Sequence, residues 1–235
     1  MSGHSKWSTI KHKKAARDHV KGNVFTKMAN NISVAVKKGG GIGDPEDNFS
    51  LRLAVAKARA VNMPAENIKR AIEHGMGKGD GKQLSEMTIE GFGPGGYSVI
   101  VEAVTDNTNR TVGEVRLIME KHGGTMGVPG SVMYRFDRVS AVEYEGELTD
   151  EMELTLIDLL ANDFETMEDG GVVYGAAESM KVISDKLTES GLKVTDASLI
   201  YRPKVNVEAD PELVETYLDF IRELDDVQEI YTDVV

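Results

Sequence analysis

The chain contains no cysteine. That excludes disulfides, thiolate zinc sites and cysteine nucleophiles, and it fits a reducing compartment. No run of about eighteen apolar residues occurs, so no membrane-spanning helix is expected. The basic beginning is not followed by an apolar segment, so no secretory signal is expected, and the Asn-x-Ser/Thr triplets at Asn31, Asn48 and Asn109 read as chance. His-Glu-x-x-His, His-x-x-x-His and Gly-x-Ser-x-Gly are all missing, so neither a zinc hydrolase nor a serine nucleophile has its usual signature. The expectation is a cytoplasmic protein with no catalytic centre, no metal and no cofactor.

Acidic residues are missing from one place only. Residues 1–38 hold nine Lys or Arg and a single acid, Asp18, while the whole chain of 235 residues is formally −12. Residues 1–82 carry 16 Lys or Arg against 7 Asp or Glu, a net of +9; residues 83–235 carry 11 against 32, a net of −21. Such a contrast aims one end at something negative, and the acidic remainder is repelled by nucleic acid.

Along the chain, Gly3, Ser5, Ser8 and Thr9 favour an irregular arm over residues 2–14. Val20, Val24, Met28, Ile32 and Val36 then recur at helical spacing until Gly39-Gly40-Gly41 stops the helix. Asp44-Pro45 predicts a second helix start, with Phe49, Leu53, Ala56 and Ala60 inward. A third helix is predicted over 64–74. Residues 87–92 and 97–104 read as strands around Gly93-Pro94-Gly95-Gly96, a hairpin turn and not a phosphate loop, because it leads into a strand. A helix over 111–122, capped near Thr108 or Asn109, and a strand over 131–136 follow.

Residues 137–203 then read β-α-β-β-α-β, with strands at 139–144, 163–167, 172–174 and 193–201 and helices at 150–162 and 176–190. That is the ferredoxin-like order. A helix over 211–224 and a strand over 227–232 need a sheet to join. The fold expected is therefore α+β: an all-helical domain (1–82), a discontinuous α/β domain (83–136 plus 204–235), and a ferredoxin-like α/β domain (137–203) inserted into it.

The candidate nucleic-acid-binding residues are Lys6, Trp7, Lys11, His12, Lys13, Lys14, Arg17, Lys21 and Lys27. Lysines meet phosphates as point charges and carry little base information. Trp7, the only tryptophan, either stacks on a base or packs the arm onto the helices. No helix is rich in Arg, Asn and Gln, the side chains that read a major groove. The acidic α/β domains are candidates for homo-oligomerisation.

Gly3-His4-Ser5-Lys6-Trp7-Ser8-Thr9-Ile10-Lys11-His12-Lys13-Lys14-Ala15-Ala16 resembles the N-terminal signature of the YebC/PmpR family, which includes the mitochondrial translational activator of cytochrome oxidase subunit I. Phe25-Thr26-Lys27, Asp44-Pro45, Asn62-Met63-Pro64, Glu90-Gly91, Gly93-Pro94-Gly95-Gly96, Asp106-Asn107 and Asn109-Arg110-Thr111 extend the resemblance over most of the chain. It implies three domains, the last inserted, and a cytoplasmic regulator of gene expression. Some members are described as binding promoter DNA. Others act on translation at the ribosome, at proline-rich stretches. Many carry Arg at position 13 or 14 and a more basic first helix, which Asp18-His19-Val20 dilutes here. DNA is the first partner implied, and ribosomal RNA the alternative.

Overall fold

A computed structural model describes residues 21–78 and 83–234. Three helices come first: α1 (Lys21–Lys38), α2 (Phe49–Ala60) and α3 (Ala65–Gly75). The apolar stripe of α1 closes on the other two, with Ile32, Val36, Leu51, Val55, Ala58, Ile68 and Ala71 forming one core. The second helix begins at Phe49, four residues beyond Pro45. Asn48 sets that start. Its side chain accepts from Leu51 N at 3.1 Å and donates to Ala35 O and Ile42 O, so one buried amide caps α2 and ties it to the end of α1. Asp44 instead makes a turn, accepting from Glu46 N at 3.0 Å.

Two wholly antiparallel four-stranded sheets follow, and the fold is α+β. The first runs β3 (Thr125–Met126), β1 (Ser85–Phe92), β2 (Ser98–Thr105), β8 (Val227–Thr232). Helices α4 (Thr108–Lys121) and α7 (Pro211–Arg222) bury Val115, Met119, Val214, Leu218 and Ile221 against Ile89, Val99 and Val101. Asn107, not Thr108 or Asn109, caps α4, accepting from Arg110 N at 3.1 Å.

The second sheet runs β5 (Ala161–Met167), β6 (Gly170–Ala176), β4 (Phe136–Glu145), β7 (Lys193–Pro203), with α5 (Asp150–Asp158) and α6 (Met180–Glu189) on one face. In chain order its strands stand 2-3-1-4, the split βαβ arrangement. Residues 136–204 form one compact unit, and the described residues before and after them form another. Helix α5 stops at Asp158, short of the expected 162, and Leu160 takes a left-handed φ of 66° that turns the chain into β5.

The strand expected over 131–136 is absent; Met133–Arg135 is a single 3-10 turn. Glu90 is the reason. Its carboxylate accepts from Gly130 N at 2.6 Å, Val132 N at 2.8 Å and Met133 N at 2.8 Å. Donors given to a side chain cannot build a ladder.

The β1–β2 hairpin turns where expected. Gly96 N donates to Gly93 O at 2.9 Å, with Pro94 at the second position and Gly95 at φ 88° in the third, a type II turn. Gly93 has a second duty. A Cβ there would lie 2.1 Å from the Tyr97 ring, and one on Gly124 would lie 2.1 Å from the Tyr217 hydroxyl. These two rings meet edge to face at 6.2 Å, both almost wholly buried. Burial pushes both phenols up, Tyr217 to about 12. Gly93→Ala should therefore destabilise the protein by about 2–3 kcal/mol, because the buried ring cannot swing away. Urea denaturation reads this; a loss within error of zero would show that the ring yields freely.

Candidate nucleic-acid interface

Seven of the nine candidate binding residues, Lys6, Trp7, Lys11, His12, Lys13, Lys14 and Arg17, lie outside the described residues. Lys21 opens α1, and its side chain also lies outside them. Lys27 is placed. Its ammonium donates to Arg222 O at 2.6 Å. That carbonyl belongs to the last turn of α7, where helix carbonyls lack intrahelical partners and a cation is favoured.

The other end of α1 is tied as well. Lys37 Nζ donates to Leu84 O at 3.1 Å, and Lys38 Nζ lies 2.6 Å from a Glu86 carboxylate. These exposed contacts are individually weak. Together they seat α1 between β1 and the end of α7, so the helix leading from the basic arm has a defined position.

The helical domain contributes further cations that the candidate set omitted. Arg59, Lys69 and Lys78 are exposed, and their side chains have no hydrogen-bond or ion-pair partner among the described residues. Arg70 is exposed and holds Asn67 Oδ1 at 2.8 Å. Sequence contained the signal for Lys69 and Arg70, since Ile68, Ala71 and Ile72 inward leaves them outward. Arg52 is different: it donates to Pro45 O and Glu46 O and serves the turn before α2.

What this surface can do follows from its chemistry. Lysines and arginines on a helical scaffold neutralise phosphates, contacts that carry no base information by themselves. Asn30 and Asn31 on α1 are half-buried, which leaves these two amides poorly placed to reach base edges. Among the described residues, no group of three His, Asp or Glu is arranged to hold a metal ion. No described helix is long and apolar enough to cross a membrane.

The cations gather on a helical head, and two antiparallel-sheet domains supply most of the acids. This is the architecture of a charge-divided α+β protein. The chain belongs to the TACO1/YebC family: the family's N-terminal domain matches residues 5–78 and its second and third domains match residues 84–234. A probable transcriptional regulatory protein of Thermoanaerobacter pseudethanolicus is 41% identical over 240 residues, covering 100% of this chain and 97% of that one. Another from Finegoldia magna is 42% identical over 236 residues, covering 98% and 97%. The crystal structure of a conserved hypothetical protein from Aquifex aeolicus superposes with a TM-score of 0.79 at 36% identity, covering 93% of this chain and 91% of that one.

Proposed function

We propose that this chain is a non-enzymatic, nucleic-acid-binding regulator of gene expression, acting on DNA as a transcriptional regulator in the cytoplasm. The observation that carries the reading is the charge division: a net of +9 over residues 1–82 against −21 over residues 83–235. A duplex carries one phosphate per about 1.7 Å of axis, so it meets a favourable surface at the basic head and repulsion along most of the rest. The naming of full-length relatives as probable transcriptional regulatory proteins supports the same role. Lys6, Lys11, Lys13, Lys14, Arg17, Lys21 and Lys27 would contact phosphates, His12 would assist them, and Trp7 would stack.

The test is binding to promoter fragments and to random duplex of equal length at physiological salt. A specific regulator retains its promoter complex under excess random competitor; equal binding to both would remove specific transcriptional control by this chain alone.

A second reading is favoured by one observation, the half-buried Asn30 and Asn31 on the first helix. The same arm would then lie against ribosomal RNA, recognised by shape and phosphate, in a factor that relieves stalling at proline-rich stretches. Co-sedimentation with ribosomes at low salt, lost in a Lys11→Glu/Lys13→Glu/Lys14→Glu variant, supports this reading; absence from ribosomal fractions removes it. Either way the protein acts by occupancy and not turnover, and the acidic domains are free to serve partners or a second copy.

A further inference from the structure

The sheet formed by β5, β6, β4 and β7 has two faces of opposite character. One carries Val142, Tyr144, Phe164 and Val173 and packs under α5 and α6 through Leu156, Ile183 and Leu187. Alternation puts their neighbours on the other face. There the register sets Glu143 beside Val172 and Asp196, and Tyr174 beside Ala141 and Asp163. Glu165 is on this face too, accepting from the Tyr174 hydroxyl at 2.7 Å. Arg202 reaches across, 4.5 Å above the Tyr174 ring and paired with Asp163.

Neither helix of the unit packs on this second face. Beyond the Tyr174 ring that Arg202 covers, its floor is nevertheless deeply buried: Val172 is 0% exposed and Ile200 2%. An apolar floor closed to that degree requires a covering segment. In four-stranded RNA-binding sheets, aromatic residues of the strands stack bases. Here Glu143, Asp163, Glu165 and Asp196 border the floor and would repel the phosphates. The complementary occupant is a basic segment with an aromatic residue in it.

We propose that this face is the docking site of the chain's own basic arm, residues 2–14, with Trp7 on the apolar floor and its lysines toward the bordering acids. Charge complementarity picks out that stretch. Residues 2–14 hold four Lys and no acid, and they include the only tryptophan of the chain. Fully extended, thirteen residues reach about 43–47 Å, whereas four strands side by side span about 20 Å, so the arm is long enough to cross the sheet. Docking withdraws Lys6, Lys11, Lys13 and Lys14 until a polyanion competes them away. The docking stands by itself; only the competition rests on the nucleic-acid reading.

The single tryptophan makes the test direct, in the full-length protein. Trp7 emission is expected to be blue-shifted and protected from acrylamide, a neutral quencher. A Glu143→Gln/Glu165→Gln variant should shift it red and raise acrylamide quenching several-fold. A Glu208→Gln/Glu212→Gln variant, with the same charge change on the other unit, should leave it alone. Far-UV circular dichroism verifies the folding of each. Carbodiimide coupling of the wild-type protein gives a variant-free check: bonds between the arm lysines and Glu143 or Glu165 within one chain are expected. Solvent-exposed Trp7 emission in the wild type, or coupling only between two chains, overturns the proposal.

A mixed-sequence single-stranded RNA oligonucleotide then tests competition. It should expose Trp7. If the arm is docked about nine-tenths of the time, the variant should bind RNA roughly tenfold more tightly than wild type, and the control variant should not. Protected emission that RNA leaves unchanged would remove the competition and leave the docking standing.

Discussion

Reversing Lys11, Lys13 and Lys14 to glutamate should lower affinity for nucleic acid by at least about a hundredfold at 0.15 M salt. The slope of about −0.9 per neutralised phosphate makes each duplex contact worth roughly fivefold there, and three are lost together. Repulsion from the new carboxylates adds to this. The dependence on salt should change with it, becoming shallower by about 2–3 logarithmic units per tenfold salt for duplex and by about 2 for single strands. The fold should not respond, because the core of the helical domain is built from Ile32, Val36, Leu51, Val55 and Ile68. Fluorescence anisotropy over a salt series measures both quantities. A variant with wild-type affinity and slope would place the phosphate contacts elsewhere, with Arg59, Lys69, Arg70 and Lys78 the first residues to examine.

Replacing Glu90 by alanine should cost about 2–4 kcal/mol of stability. The carboxylate holds three backbone donors; the Val132 N–H is buried, and a buried N–H left without an acceptor costs about 1–3 kcal/mol, while those of Gly130 and Met133 are only partly buried and lose less because water reaches them. Glutamine should fall between, since it keeps one carbonyl acceptor and turns an amide donor toward N–H groups. The pH dependence has a definite sign. Burial alone raises the Glu90 carboxyl, but the N–H groups of Gly130, Val132 and Met133 outweigh it and hold the group below its usual 4.5. A depressed folded value means that the carboxylate stabilises the protein above about pH 4.5 and that this stabilisation is lost as pH falls through the folded value. Wild type should lose stability in that acid window by more than Glu90→Gln does. Urea titrations at several pH values test the sign, and amide exchange at Gly130, Val132 and Met133 tests the location. Equal pH dependence in the two proteins would contradict this role.

That carboxylate also shows where sequence reading loses its hold. The strand expected over 131–136 had suitable composition, yet its amides answer to a side chain forty residues earlier. Strand β3, only two residues long, gives periodicity nothing to register. Asn48 repeats the lesson: Asp44-Pro45 has the local signature of a helix start, but Asn48 wins through bonds to Ala35 and Ile42 that only the folded chain supplies. Periodicity placed α2 but not its inner face: Leu51, Val55 and Ala58 are buried, while Ala56 and Ala60, expected inward, are exposed. Other local signals held. The stripe of Ile32 and Val36 faces the core, and the Gly93–Gly96 turn sits between β1 and β2.

The candidate interface divides in the same way. Net charge is a property of composition, so the basic head was legible without coordinates. The use of each cation is not. Lys27 meets a carbonyl 195 residues away, and Lys37 and Lys38 meet the entry to β1, while Arg59 and Lys69 stand outward. The packing of α1, α2 and α3 separates the cations that hold the domain from those that point to solvent. The basic arm, the feature with the most concentrated charge, is also the one that lies outside the described residues.

The central claim is that the basic head binds nucleic acid through phosphates. Its most direct test is the affinity of the full chain for a random duplex and a single-stranded RNA of equal length over about 0.05–0.3 M salt. Straight log–log lines are expected for both, with negative slopes equivalent to several phosphate contacts. Affinity that is flat in salt, or no binding to either at the lowest salt, would contradict it.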